Sequence, residues 1–193
     1  YLPQGADLKH AGVIYDRAHS SFSQLKPGMI DWDKALEGCN WFHFSAISPA
    51  LLQSSAAICK EALEAASKKG LTISVDLNYR SKLWQYGKSP VEIMPELISY
   101  CDVVMGNIWA AETLAGIEAP IKDSAGKSKD ELVGAGICSM QQLMKQYSRV
   151  RTVAYTFRLQ QEYFGVISSN GETASSAVHT LAEVVDKVGS GDC

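Results

Sequence analysis

The sequence has no long apolar run, no paired cysteine motif and no concentration of basic residues, and each absence excludes a class of protein. No apolar stretch approaches the roughly 20 residues needed to cross a bilayer, so no membrane span is predicted. The five cysteines are odd in number and widely spaced, which favours reduced thiols in a cytoplasmic protein. A net charge of −3, with the Lys and Arg residues scattered, disfavours a nucleic-acid surface.

Other motifs are also missing. No predicted strand is followed by G-x-G-x-x-G, which disfavours a Rossmann-type nucleotide-binding domain. The histidines and cysteines show no ligand spacing, so no metal is expected to be held directly by them. The opening "YLPQGADLKH" contains neither a signal peptide nor an initiating Met, and we expect that the chain lacks its natural N-terminus.

From Trp41 onward the sequence alternates between strand and helix patterns. Strands are predicted at "WFHFS", "LTISVDLN", "CDVVMGN" and "RTVAYTF". Helices are expected between them, the first opening at Ser48-Pro49 and the second at Ser89-Pro90. "EYFGVISS", an Asn170-Gly171 turn and "ETASSAVHTL" predict a β-hairpin. The pattern indicates an α/β fold with a doubly wound, mostly parallel sheet and helices on both faces.

The first thirty residues differ in composition from the rest. They mix β-branched, aromatic and polar residues, with a predicted strand over 12–18 and a break at Pro27-Gly28. A short strand carrying charged residues suits a lid better than a core. We therefore expect residues 1–30 to belong to a small β lid and residues 31–193 to form the α/β core.

Polar residues follow several predicted strands at the point where each strand ends. Ligands of parallel sheets bind beyond the carboxyl ends of the strands, so these residues are candidates for one site. The set consists of Asp76, Asn78, Arg80, Asn107, Thr156 and Arg158.

The stretch "VDLNYRSKLW" is the most informative of these. Asp76, Asn78 and Arg80 alternate, so a continuing strand would present them on one face. Asp76 or Asn78 could bind hydroxyl groups or help to organise a metal–water shell, and Arg80 could bind a carboxylate or phosphate. The alternative is a strand end in which the aspartate caps a turn and the arginine is solvated.

The lid stretch "IYDRAHSS" places Tyr15 and Arg17 on one face of its strand. An aromatic ring and a guanidinium there could cover an anionic substrate and exclude water. The alternative is a solvent-facing pair.

The closing "VDKVGSGDC" contains successive small residues at Gly189, Ser190 and Gly191, followed by Asp192. Their backbone N–H groups could stabilise a transferring phosphoryl group, with Asp192 as general base. A flexible loop is the alternative, and Asp186 at D-x-x-G-x-G-D spacing favours the functional interpretation.

Together, "DLNYR" after a strand and "DKVGSGD" after a hairpin resemble the ribokinase-like, or PfkB-type, carbohydrate kinases. Within that family, "VIYDRAHSSFS", "FHFSAISPAL" and "VDLNYRSKLW" are similar to the kinases of 2-keto-3-deoxygluconate. The resemblance covers the whole chain. It implies transfer of the γ-phosphoryl group of ATP, assisted by Mg²⁺, to a primary hydroxyl of the sugar acid.

The resemblance also implies residue roles. Asp192 would take the hydroxyl proton and the backbone of 189–191 would form the anion hole. The substrate would be held by Tyr15, Arg17, Asn78 and Arg80, and the nucleotide by Asn107, Thr156 and Arg158. Asp186 would belong to a monovalent-cation site.

Three departures from the family pattern stand out. Ala110 occupies the glutamate position of N-x-x-E, and Arg158 stands where glycine is usual. The sequence also stops one residue after Asp192, without the helix that follows in relatives. We therefore expect this polypeptide alone to show little kinase activity and its full-length parent to be active.

Two alternatives remain from the sequence. The protein could phosphorylate another sugar, such as fructose or ribose, or it could be a non-catalytic sugar-acid-binding relative. A homodimer formed through the lid strands is expected in either case.

Overall fold

The computed structural model of the protein describes residues 20–159 and 162–180, and these are organised around one mixed sheet. The order of its strands is β1-β2-β3-β4-β5-β6, with β7 also paired to β5. The first four strands are mutually parallel, and β5 to β7 pair in antiparallel fashion. The strands are β1 (Trp41–Ser45), β2 (Thr72–Asp76), β3 (Val103–Gly106), β4 (Thr152–Arg158), β5 (Glu162–Ser169), β6 (Glu172–Ser175) and β7 (His179–Thr180).

Five α-helices lie among the described residues. Both capping boxes that open helices pair a serine N-cap with a glutamate three residues later, so local sequence alone fixes these starts. The helices are α1 (Trp32–Ala35), α2 (Gln53–Lys68), α3 (Pro90–Ile98), α4 (Ile108–Ala115) and α5 (Lys129–Gln146). None of these described helices combines the length and apolar character required to span a bilayer.

The predicted α/β class, the four parallel strands and the hairpin are confirmed. The hairpin turns at Asn170 and Gly171, whose φ angles are 50° and 86°. Positive φ at both central positions is typical of a type I′ turn, for which Asn-Gly is the preferred sequence.

The predicted start of α2 was wrong. The helix begins at Gln53, and the segment between β1 and α2 forms turns in which Ser48 N–H donates to the Ser45 carbonyl and Ala50 N–H to the Ile47 carbonyl. The carbonyls of Pro49 and Ala50, which a helix would use internally, accept bonds from the loop after β2 instead. A long-range contact therefore overrides the local Ser-Pro signal.

One face of the sheet is buried by helices. Because β1 to β4 are neighbours in chain order and crossovers are right-handed, the connecting helices share a face. On that face Phe157 stacks on Phe164 at 5.1 Å and meets the ring of Trp109 from α4 edge-on at 6.4 Å. The strand residues that point to the opposite face are more exposed, among them Thr156 and Ile167.

The described part of the proposed lid segment, residues 20–30, forms a 3₁₀ turn at Phe22–Gln24. Gly28 N–H donates to the carboxylate of Glu61, so this stretch rests on α2. The strand predicted over 12–18 lies outside the described residues, and the division into lid and core stays a prediction.

Candidate active site at the carboxyl edge of the sheet

The register of the parallel strands brings the predicted site residues of the core to one edge. Ser45 pairs with Asp76 and Asp76 with Met105, so β1, β2 and β3 end within one residue of each other. The last residue of β3, Gly106, pairs with Tyr155, and β4 continues beyond it to Arg158. The segments that follow β2 and β3 and the end of β4 therefore meet at this carboxyl edge. They carry Asn78, Arg80, Asn107, Thr156 and Arg158.

The exit of β2 differs from the alternating strand that we expected. The strand ends at Asp76, and Tyr79 N–H donates to the Leu77 carbonyl at 2.8 Å, which makes Asn78 the centre of a tight turn. Asn78 is half-buried and Arg80 is exposed. The prediction that the strand continues through Asn78 was wrong, because β2 ends at Asp76 and the chain turns at Asn78.

Arg80 is an unneutralised cation within the described chain. Its guanidinium donates to the Tyr79 carbonyl at 3.4 Å, which is long for a hydrogen bond. No described carboxylate forms an ion pair with it. An exposed guanidinium with this little engagement can bind an anionic group of a ligand.

The turn after β3 is built on a close approach. Gly106 has a φ of 155°, and a Cβ added to it would lie 2.8 Å from the Cβ of Leu77. Leu77 in turn donates its N–H to the Met105 carbonyl at 2.7 Å. The absence of a side chain at Gly106 therefore lets the segments after β2 and β3 pack against each other.

Asn107 serves as the N-cap of α4. Its Oδ1 accepts from the N–H of Ala110 at 2.9 Å, which satisfies one of the orphan donors of the first turn. Its Nδ2 amide donates to no group in the part of the chain that the structure describes, and so it is available for a ligand.

The missing glutamate of N-x-x-E is not replaced by its neighbour. Ala110 is 3% exposed and lies in the core. Glu112 accepts from the N–H of Ala119 at 3.2 Å, beyond the far end of α4. Neither position therefore supplies a carboxylate at the carboxyl edge.

Thr156 and Arg158 lie near the end of β4, on its exposed face. Thr156 pairs with Gly165 and Arg158 with Tyr163 of β5. A cavity of about 650 Å³ lies beyond this strand end. It is lined by residues 123–127 together with Leu159, Glu162 and Thr180.

One feature of this edge went unpredicted. Trp84 and Tyr86 bind the turn after β1 through the carbonyls of Ala50 and Pro49. Burial is the main cause that raises the pKa of Tyr86 to about 12, so its hydroxyl remains protonated and donates. No local sequence signal marks such a contact, because its partners are 34 and 37 residues away in sequence.

Several predicted residues lie outside the described parts of the chain. They are Tyr15, Arg17, Asp186, Gly189, Ser190, Gly191 and Asp192, and their roles stay predictions. Within residues 20–159 and 162–180, no three His, Cys, Asp or Glu side chains come together in a way that could hold a metal ion.

No family model matches the chain, but individual relatives do. A 2-dehydro-3-deoxygalactonokinase from Haloferax volcanii is 38% identical over 84 residues, covering 44% of this chain and 26% of that protein. The crystal structure of a 2-dehydro-3-deoxygluconokinase from Thermotoga maritima matches with a TM-score of 0.78 at 32% identity. A PfkB family carbohydrate kinase from Listeria grayi matches with a TM-score of 0.74 at 25% identity. Each structural match covers 94% of this chain.

In sequence and in fold the chain resembles the ribokinase-like (PfkB) carbohydrate kinases. The resemblance inferred from "DLNYR" and "DKVGSGD" is thereby confirmed. The chain spans about half the length of the solved relatives, since the matches cover 53% of each of those chains.

Proposed function

We propose that the natural gene product carrying this sequence transfers the γ-phosphoryl group of ATP to a primary hydroxyl of a sugar acid. The favoured substrate is 2-keto-3-deoxygluconate, which would become its 6-phosphate. The observation that carries this proposal is Arg80, an exposed cation at the carboxyl edge with no ion pair in the described chain.

The charge of Arg80 bears on the class of sugar. A guanidinium forms strong, often bidentate hydrogen bonds with a carboxylate, and a neutral hexose offers no charge partner. Two of the relatives are named as kinases of 2-dehydro-3-deoxy sugar acids, one of the galactonate and one of the gluconate series. These acids share the carboxylate and differ in the configuration of one carbon, so both are candidate substrates.

The transfer itself is assigned to residues outside the described chain. Asp192 would accept the proton of the sugar hydroxyl as its oxygen bonds to the γ-phosphorus and the bond to the ADP oxygen breaks. The N–H groups of 189–191 would stabilise the charge on the phosphoryl oxygens. Tyr15 and Arg17 would close over the sugar acid, and Asp186 would contribute to a monovalent-cation site.

The described residues that are predicted to hold the nucleotide are better suited to binding phosphate than to binding a metal ion. Asn107 offers an amide, Thr156 a hydroxyl and Arg158 a guanidinium, all of which can donate to phosphate oxygens. With Ala110 in place of a carboxylate, Mg²⁺ would be carried mainly by the ATP phosphates and water, as this ion commonly is. When bound, Mg²⁺ would neutralise charge that develops on the phosphates.

The proposal is tested with an ADP-release assay on the natural gene product, supplied with both sugar acids and with neutral sugars such as fructose and ribose. We expect turnover with a sugar acid and little with the neutral sugars. Arg80→Gln should raise the KM for the acid by about 10- to 100-fold, since a hydrogen bond to a charged group is worth about 1.5–3 kcal/mol. Equal turnover of neutral and acidic sugars would contradict the acid assignment.

A second function, binding of a sugar acid without catalysis, is favoured by Ala110 and by the engagement of Glu112 elsewhere. Asp192→Asn separates the two. In a kinase this change removes turnover and leaves sugar-acid binding measurable by calorimetry. In a binding protein the unmodified chain already shows no turnover, and the substitution changes nothing.

We further propose that the natural gene product works in the cytoplasm as a homodimer joined through its lid. Free thiols at Cys39, Cys59, Cys101 and Cys138 support a reducing compartment. The mass of the assembly, measured by light scattering, tests the dimer, and a monomer at micromolar concentration would exclude it.

A further inference from the structure

Two loops of the carboxyl edge contact each other. Trp84 and Tyr86, in the loop after β2, bind the turn at Pro49 and Ala50 after β1, and we call this contact the aromatic clamp. Trp84 N–H donates to the Ala50 carbonyl at 3.0 Å. The Tyr86 hydroxyl donates to the Pro49 carbonyl at 2.8 Å. The rings of Trp84 and Tyr86 also contact each other, with centroids 6.1 Å apart. The clamp therefore connects the loop after β2 with the turn after β1.

The backbone at the clamp adopts a conformation that a bulky residue rarely takes. Trp84 has a φ of 66°, in the left-handed region where tryptophan is an outlier. Such a conformation persists only where the surrounding contacts determine it, and residues of this kind cluster at functional sites. Here the two carbonyls of the β1 turn supply those contacts.

The clamp lies immediately after Arg80. Leu83 N–H donates to the Arg80 carbonyl at 3.0 Å, so a single hydrogen-bonded turn connects the arginine to Trp84. The Arg80 side chain is exposed, and its bond to Tyr79 is weak, so its own contacts do not fix the loop. On the far side of Arg80 the chain is held by the turn at Leu77 and Tyr79.

We propose that Trp84 and Tyr86 are positioning residues, which act through Arg80 by holding its loop in place for the carboxylate of the sugar acid. This inference rests on the proposed function. It assigns sugar-acid affinity to a contact between two loops, in addition to the groups that touch the substrate.

The test compares two tyrosine variants of the natural gene product. Tyr86→Phe removes the 2.8 Å bond to Pro49 in the clamp. Tyr147→Phe removes a bond of the same length to the Ala115 carbonyl at the opposite edge of the sheet, together with a bond accepted from Gln146 at 3.1 Å. The control variant should therefore lose at least as much stability as Tyr86→Phe, so a kinetic effect confined to Tyr86→Phe reports position rather than general destabilisation.

We expect Tyr86→Phe to raise the KM for the sugar acid about 5- to 10-fold, the equivalent of one ordinary hydrogen bond, with kcat and the KM for ATP nearly unchanged. Tyr147→Phe should leave all three constants near wild type. Trp84→Gly tests the ring separately, because glycine adopts a positive φ without strain. We expect Trp84→Gly also to raise the KM for the sugar acid.

The outcomes distinguish this inference from the function beneath it. If the unmodified protein phosphorylates a sugar acid but Tyr86→Phe and Trp84→Gly leave the KM for that acid unchanged, the positioning role is refuted and the proposed function still stands. A parallel rise for Tyr147→Phe would also refute it, since the effect would then come from stability. If the unmodified protein phosphorylates no sugar acid, the proposed function fails and takes the inference with it.

Discussion

Gly106→Ala should destabilise the protein strongly, because the carboxyl edge depends on the approach between Gly106 and Leu77. The new methyl group would lie 2.8 Å from Leu77 Cβ, 3.5 Å from its Cγ and 3.6 Å from its Cα. Carbon atoms prefer separations of about 3.5–4.0 Å, so the first contact must open by about 0.7 Å or more.

Neither partner can move easily. Leu77 is 1% exposed, and its N–H is bonded to the Met105 carbonyl at 2.7 Å. Overpacking of this kind costs about 1–3 kcal/mol, and an alanine held at the φ of Gly106 adds about 1 kcal/mol or more. We expect the free energy of unfolding to fall by about 2–4 kcal/mol in total, which lowers Tm by about 4–16 °C for a chain of this size.

The measurement is thermal and urea unfolding followed by circular dichroism. Gly134→Ala is the matched control, because Gly134 is an exposed glycine of α5 with nothing within 4 Å of an added Cβ. The same substitution there should raise stability by up to about 1 kcal/mol, through helix propensity. A Gly106→Ala protein with the Tm of wild type would refute the packing argument.

Two further predictions concern charges away from the site. The N–H of Ser89, the ammonium of Lys88 and the hydroxyl of Ser89 hold the pKa of Glu92 at about 2 instead of 4.5. The stability that Glu92 contributes is therefore present above pH 4.5 and is lost as pH falls toward 2. Urea titrations at several pH values should show that the free energy of unfolding falls less steeply with decreasing pH in Glu92→Gln than in wild type. An equally steep fall would contradict this. Arg149 joins Asp102 at the start of β3 to Ser67 at the end of α2, with bonds of 3.2 and 2.7 Å. Arg149→Met should cost about 1–2 kcal/mol after allowance for partial exposure, whereas a loss below about 0.3 kcal/mol in urea unfolding would rule out a stabilising network.

The elements that were predicted correctly are those whose signals are local. The Asn170-Gly171 turn, the Ser89-Pro90 helix start and the apolar strands each depend on residues a few positions apart. In such cases the sequence preference and the final structure agree, because no distant contact competes.

The site was predicted in outline rather than in detail. Parallel register is sufficient to bring Asn78, Arg80 and Asn107 to one edge, and the strand pattern indicates that register. The orientation of these side chains was not predictable, because it depends on the tight turn at Asn78 and on the capping bond that the N–H of Ala110 donates to Asn107. These are tertiary and stereochemical details without a periodic signal.

Two departures from local sequence preference have a common cause. Helix α2 starts later than its Ser-Pro signal, and Trp84 adopts a backbone conformation that its side chain disfavours. Each departure supplies one half of the clamp, since the delayed helix leaves the carbonyls of Pro49 and Ala50 free and the left-handed residue lets the loop reach them. Local preferences that are overridden together at one place are expected at a functional site, where a particular geometry is worth its cost in stability. The clamp lies next to Arg80, so this argument for the site is independent of the resemblance to known kinases.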